Sequence, residues 1–252
     1  MTGANLKAEF AGALLLAVLH LLGLDERAPT GLLVPPRFGA VVAPAVKAAP
    51  ALLLARVSGD AMTAAALVLS AAGDVALAVD DAKPRDEAFV VGLGSFLLAH
   101  VAFAAGIVRG GSRWQSAPKQ SLVSHLTAIP YSALGAVIGS LIVAHATPAL
   151  RVPVIVYCAA ISLMATCALR RHVLASPLDV PSARLAHAGA FSFVVSDSIL
   201  GVHKFVPASS APLPFSRGDA PARRLFVMVP YYAALFLLCH SSRARIKPRR
   251  ST

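Results

Sequence analysis

Long apolar runs, punctuated by proline, glycine and clusters of charge, recur along this chain. Each is close to the roughly 20 residues a helix needs to cross a hydrocarbon layer. They predict helices over Glu9 to Leu24, Phe38 to Val57, Ala61 to Val79, Ala88 to Val108, Leu122 to Ala146, Ala149 to Leu169, Ala183 to His203 and Arg224 to His240. The first run is short and reads alternatively as a signal anchor, but no small-residue cleavage site follows it. The expected fold class is an all-α integral membrane protein, a bundle of about eight transmembrane helices spanning residues 9–241. Residues 1–8 form an N-terminal tail and residues 242–252 a basic tail.

Composition agrees with the pattern. Of the 252 residues, 57% are hydrophobic and 14% charged, with a mean hydropathy of +0.70. Soluble domains keep about 25% charged residues. The net charge of +11 collects at the ends of apolar runs. Nucleic acid is excluded as a partner, because it requires a basic stripe with interleaved aromatics on a soluble fold. The charge is instead topological: with the N-terminus inside, thirteen Lys and Arg fall on that side and nine on the other. Both termini are therefore expected to be cytoplasmic. The balance leans on the tail Arg243 to Arg250, which also attracts anionic lipid headgroups. The membrane itself is left open: endoplasmic reticulum or plasma membrane in a eukaryote, inner membrane in a bacterium. Cys158 and Cys167 are nine residues apart on one helix and so on opposite faces. With Cys239 near the end of the last run, free thiols are expected.

Against this apolar background, polar residues inside the runs stand out. Asp74 and Asp197 lead, since an acidic side chain at a helix centre costs at least about 2.5 kcal/mol and normally faces a cavity or partner. Lys47 and His100 fall near mid-membrane under this topology. One shared cavity is expected, with Lys47 and His100 as floor, the two aspartates as walls and a mouth at His203 and Lys204. Ser70, Tyr157, Ser196, Lys204, Tyr231 and Tyr232 are candidate binding residues around it.

Each has a structural alternative. Ser70, Ser192, Ser196 and Ser198 suit close helix packing, as do Gly135 and Gly139. Tyr131 and Tyr157 suit a belt or core. His125, His187 and His203 lie near predicted ends and suit the interface, and Lys47 and Asp74 suit a structural ion pair. The segments around Asp74 and Asp197 also resemble each other weakly across four predicted spans, which admits a parallel four-plus-four duplication.

From Phe38 through Leu238 the motifs resemble the YhhN family of eight-span membrane proteins, whose characterised members are lysoplasmalogenases. Val46-Lys47-Ala48-Ala49-Pro50 is similar to the family's Lys-x-x-Pro, and Ser70-Ala71-Ala72-Gly73-Asp74 to its Ser-x-x-Gly-Asp. Gly92 through Phe96 to His100 resembles its Gly-x-x-x-Phe followed by Ala-His. Gly189-Ala190-Phe191 leads to Ser196-Asp197, and Met228 to Ala234 carries the last motif. Their order and their placement on separate runs make the combined match specific. Two places depart from it: Phe103 stands where relatives often carry an aromatic hydroxyl, and Leu235 where they often carry Gln.

The resemblance implies hydrolysis of the vinyl-ether bond of a lysoplasmalogen, giving a fatty aldehyde and glycerophosphocholine or glycerophosphoethanolamine. Such a bond breaks by protonation at its β-carbon, which leaves an oxocarbenium-like cation that water attacks. The site then needs an acid and an anion, as paired-carboxylate glycosidases do. Asp197 is expected as proton donor and Asp74, beside Lys47, as base or cation stabiliser, with the reverse open. His100 would orient water, Tyr231 and Tyr232 would line the pocket, and Lys204 would meet the phosphate. No metal or cofactor is required. The expected partners are the lysophospholipid and membrane lipid, with a homodimer left open. The alternative from another class is a transporter or lipid-binding protein that uses Asp74, Asp197 and Lys47 as a solute or proton site. No Gly-x-Ser-x-Gly elbow, His-Glu-x-x-His pair or Gly-rich phosphate loop is present.

Overall fold

The computed structural model describes residues 3–22, 36–82, 86–111, 122–211, 213–216 and 218–244. Eight helices run in order: α1 (Gly3–Leu21), α2 (Pro36–Val57), α3 (Ala61–Ala82), α4 (Asp86–Arg109), α5 (Leu122–His145), α6 (Pro148–Val173), α7 (Val180–Phe205) and α8 (Ala220–Ala244). Among the described residues there is no strand, and seven helices are long and apolar enough to cross a membrane. The loop expected over Gly110 to Ser121 lies outside the described residues from position 112 onward. The same is true of the tail from Arg245.

Two helix starts differ most from expectation. α1 begins at Gly3 rather than Glu9, whose carboxylate meets Arg56 of α2 at 3.3 Å. α8 begins at Ala220 rather than Arg224. The Asp219 carboxylate accepts the Ala222 N–H at 3.0 Å, and Pro221 sits in the first turn, where its missing N–H costs nothing. Arg223 and Arg224 are thereby drawn into the helix.

Helices α2, α3, α4, α6, α7 and α8 pack in sequence into a ring that closes where α8 meets α2, while α1 leans on α2 and α5 on α6. This order repeats under a shift of four helices: α1 on α2, α2 on α3 and α3 on α4 match α5 on α6, α6 on α7 and α7 on α8. Asp74 on α3 and Asp197 on α7 thus stand on corresponding helices of the two halves. Gly135 and Gly139 bring α5 close to α6, against Ser162 and Cys158.

Five prolines sit inside helices: Pro44, Pro50, Pro130, Pro153 and Pro230. Each lacks the N–H that would serve the carbonyl four residues earlier. Beside two of them a side chain from a neighbouring helix donates to a carbonyl of the same turn. Tyr232 Oη donates to the carbonyl of Lys47 at 3.2 Å, three residues before Pro50. Ser196 Oγ donates to the carbonyl of Val227 at 3.0 Å, three residues before Pro230.

The two ends of the ring differ. At the end where α6 stops and α7 starts, buried Arg171 pairs with Asp179 at 2.6 Å and donates to Ser182 Oγ at 2.7 Å. Ser182 in turn donates to the Ser241 carbonyl of α8. Nearby, Gly59 N–H donates to Ser242 Oγ at 2.8 Å, and Arg243 to the Val57 carbonyl. Polar staples close this end. The opposite end, where α7 stops and α8 starts, is where the cavity carries its cations.

Candidate active site

A cavity of about 510 Å³ lies inside the bundle, and all eight helices contribute to its wall. Both aspartates line it. Asp197 Oδ2 accepts the Tyr157 hydroxyl at 2.5 Å and meets His100 Nε2 at 3.1 Å, and Tyr157 Oη is 3.0 Å from the same ring nitrogen. Three helices therefore converge on one carboxyl oxygen. His100 is fully buried behind this triangle, edge-on to Phe193, and its Nδ1 has no hydrogen-bond partner. Placing the ring hydrogen on Nε2 makes His100 a second donor to Asp197.

Asp74 is 2% exposed, and its Oδ2 accepts the Tyr231 hydroxyl at 2.5 Å. The nearby charged groups that act on it are Lys47 and Asp197, so the two carboxyls share one electrostatic environment. Tyr231 is held edge-on between Phe96 and Phe193, with centroids at 5.9 and 5.6 Å. Gly73 makes that possible, since a Cβ there would collide with the Phe96 ring. The halves correspond again: Asp74 on α3 is served from α2 (Lys47) and α8 (Tyr231), and Asp197 on α7 from α6 (Tyr157) and α4 (His100).

The structure sorts the other expected residues. Lys47 and Lys204 line the cavity, and Lys204 Nζ stands 4.7 Å over the Phe89 ring. Ser70 does not line it; its hydroxyl donates to the Ala66 carbonyl of its own helix. Ser196 lines the cavity and Tyr232 does not, and their hydroxyls donate to carbonyls of α8 and α2. His100 supports Asp197 from behind rather than forming a floor with Lys47. His187 meets the Tyr131 hydroxyl at 2.8 Å and stacks on His172. Phe103 and Leu235 are buried and apolar, and Phe103 packs on Phe193 next to His100.

Three basic lining residues were given no site role from sequence: His20, Arg223 and Arg224. His20 lies in the last turn of α1, edge-on to Tyr232. The two arginines sat at the edge of an apolar run and counted only toward orientation.

Helix geometry ranks the lining by depth. Lys204 is seven residues beyond Asp197 on α7, and Arg224 is seven before Tyr231 on α8, each about 10 Å along the helix axis. In the other direction Tyr131, bonded to His187 ten residues before Asp197, lies about 15 Å away. Leu134, Ile161 and Val194 line the wall between, and Leu77, Phe89, Leu93, Ile142, Leu200 and Phe205 line it on the cation side of the aspartates. Cations therefore rim a largely apolar cavity that holds the paired aspartates within it.

Such a bundle defines a polytopic membrane protein with one internal amphiphilic cavity. The chain belongs to the YhhN family, whose model matches residues 40–242. It is 32% identical over 180 residues to proteins named lysoplasmalogenase from Mycobacterium bovis and Mycobacterium tuberculosis. The match covers 68% of this chain and 63% of each relative's length. No solved structure matches the chain.

Proposed function

We propose that the protein is a lysoplasmalogenase-like hydrolase, cleaving the vinyl ether of a single-chain glycerophospholipid inside the bundle. The observation that carries this reading is the pair of aspartates, each held by a tyrosine hydroxyl, in one largely apolar cavity about 10 Å from its cationic rim. A lysoplasmalogen brings a phosphate, an enol ether and a hydrocarbon chain, which such a cavity can accommodate together. The names of the mycobacterial relatives support the same activity.

The contacts suggest which carboxyl does what. Asp197 receives two donors on one oxygen and enters as the acceptor, while Asp74, buried with a single tyrosine donor, delivers the proton. This exchanges the roles expected from sequence, where Lys47 alone decided them. The proton from Asp74 goes to the β-carbon, the C=C pair forms the new C–H bond, and positive charge develops on the α-carbon and ether oxygen. The Asp74 carboxylate stabilises that cation. Water adds to the α-carbon as Asp197 takes its proton, giving a hemiacetal. The C–O bond to glycerol then breaks, with Asp197 returning its proton to the departing oxygen and the hemiacetal hydroxyl returning one to Asp74. One water is consumed, and aldehyde and glycerophospholipid headgroup are formed. Tyr157 and His100 hold Asp197; Tyr231 holds Asp74.

Purified protein in detergent, given a lysoplasmalogen and no ion gradient, should release aldehyde. Asp74→Asn and Asp197→Asn, with unchanged thermal unfolding, should each slow release at least about 10²-fold. Wild-type turnover in either variant removes that residue from the mechanism. A transporter would give no product in this assay.

A further inference from the structure

Lys47 has no step in the proposed hydrolysis, yet it lines the cavity in which that chemistry occurs. Pro44, one turn earlier on α2, lines it too, so this face of the helix opens inward. The charge of Lys47 acts on Asp74, whose buried carboxyl on neighbouring α3 is held by the Tyr231 hydroxyl. An amine beside a carboxyl suits carbonyl capture: the nitrogen adds to C=O, and the acid removes the oxygen as water. Among the described residues, the other lysine lining the cavity is Lys204, seven residues beyond Asp197 and about 10 Å along the axis of α7. In the proposed reaction the aldehyde carbon is born against Asp74, and Lys47 is the amine beside it.

We propose that Lys47 is a covalent acceptor for long-chain aldehydes, holding them as a Schiff base with Asp74 as counter-ion. The inference rests on the proposed hydrolysis for the source of the aldehyde and adds a fate for it. One proton shared by the pair leaves either carboxylate with ammonium or acid with amine. Capture starts from the second, the form in which Asp74 enters hydrolysis. The Lys47 nitrogen adds its lone pair to the aldehyde carbon, and one N–H proton passes to the oxygen, giving a carbinolamine. Asp74 then protonates that hydroxyl, water leaves with the C–O electron pair, and the nitrogen lone pair closes the C=N bond. The products are a protonated imine, an Asp74 carboxylate and one water; adding the water back reverses each step. The carboxylate keeps its Tyr231 donor, and a buried cation opposite a buried carboxylate is an arrangement that membrane interiors tolerate. The ligand class is a fatty aldehyde, taken by its carbonyl at Lys47 and Asp74 and by its chain along the apolar wall.

Reductive trapping of supplied aldehyde tests this apart from hydrolysis. The full protein in nanodiscs is given hexadecanal and cyanoborohydride, which converts an imine into a stable secondary amine, and the alkylated lysines are mapped by peptide mass spectrometry. Lys47 should be alkylated at least about tenfold faster than Lys7, which is exposed on α1, because carbonyl and amine are held together in one cavity. Wild-type mapping that finds Lys47 no faster than Lys7 overturns the proposal. Lys47→Arg should abolish the fast adduct, and its persistence would assign capture to another amine and overturn the proposal as well. Asp74→Asn should slow capture about tenfold or more, through loss of the acid that expels water; an unchanged rate would overturn the pairing. With a lysoplasmalogen in place of hexadecanal, the same Lys47 adduct should form. Capture of hexadecanal with neither adduct nor aldehyde from lysoplasmalogen sinks the proposed hydrolysis and leaves the capture standing. Aldehyde release with Lys47 unlabelled sinks the capture alone.

Discussion

Tyr157 shows how much of a polar site escapes one-dimensional reading. On sequence alone it is one tyrosine in an apolar run and suits a membrane belt, yet its hydroxyl sits 2.5 Å from the Asp197 carboxyl. Removing that hydroxyl takes a charge-assisted hydrogen bond from the acceptor carboxylate, an interaction worth about 1.5–3 kcal/mol. Tyr157→Phe should therefore lower kcat about tenfold or more with little change in KM, read by steady-state aldehyde release. A changed KM with constant kcat would make Tyr157 a substrate contact instead. The aspartates themselves were legible, because a carboxyl inside an apolar run is too costly to bury without a polar cavity or partner to face. Their hydroxyl and imidazole partners lie 40 to 157 residues away along the chain, a separation that no local pattern encodes.

At the scale of the helix, spacing and hydropathy located all eight elements, and the earlier start of α8 traces to the local cap at Asp219. Ser196 and Tyr232 expose the limit of that reading. Both lie beside motif residues and suggest ligand contacts, and their hydroxyls also donate to backbone carbonyls of α8 and α2. Ser196→Ala should cost about 1 kcal/mol by removing that bond between α7 and α8, read by thermal unfolding; an unchanged unfolding temperature would show that the bond contributes nothing to stability.

For the whole molecule, the cavity's asymmetry is the governing feature. One end is stapled by Arg171, Asp179, Ser182 and Ser241, and on that side of the aspartates Tyr131 meets His187. If the hydrocarbon lies beyond the aspartates, beside Leu134, Ile161 and Val194, chain length is measured there. Leu134→Trp should then move preference toward shorter alkenyl chains, raising KM for long substrates about tenfold while sparing short ones. Competition between two chain lengths in one reaction reads this directly. An unchanged ratio would mean that the hydrocarbon does not reach Leu134.

A vessel with a charged rim at one end would sort whatever is cut at its waist. In the proposed reaction the water-soluble half would depart past Lys204 and the arginines, and the aldehyde would drain sideways into the bilayer. Scission here would be vectorial without any pump, its direction written into which loop joins α7 to α8.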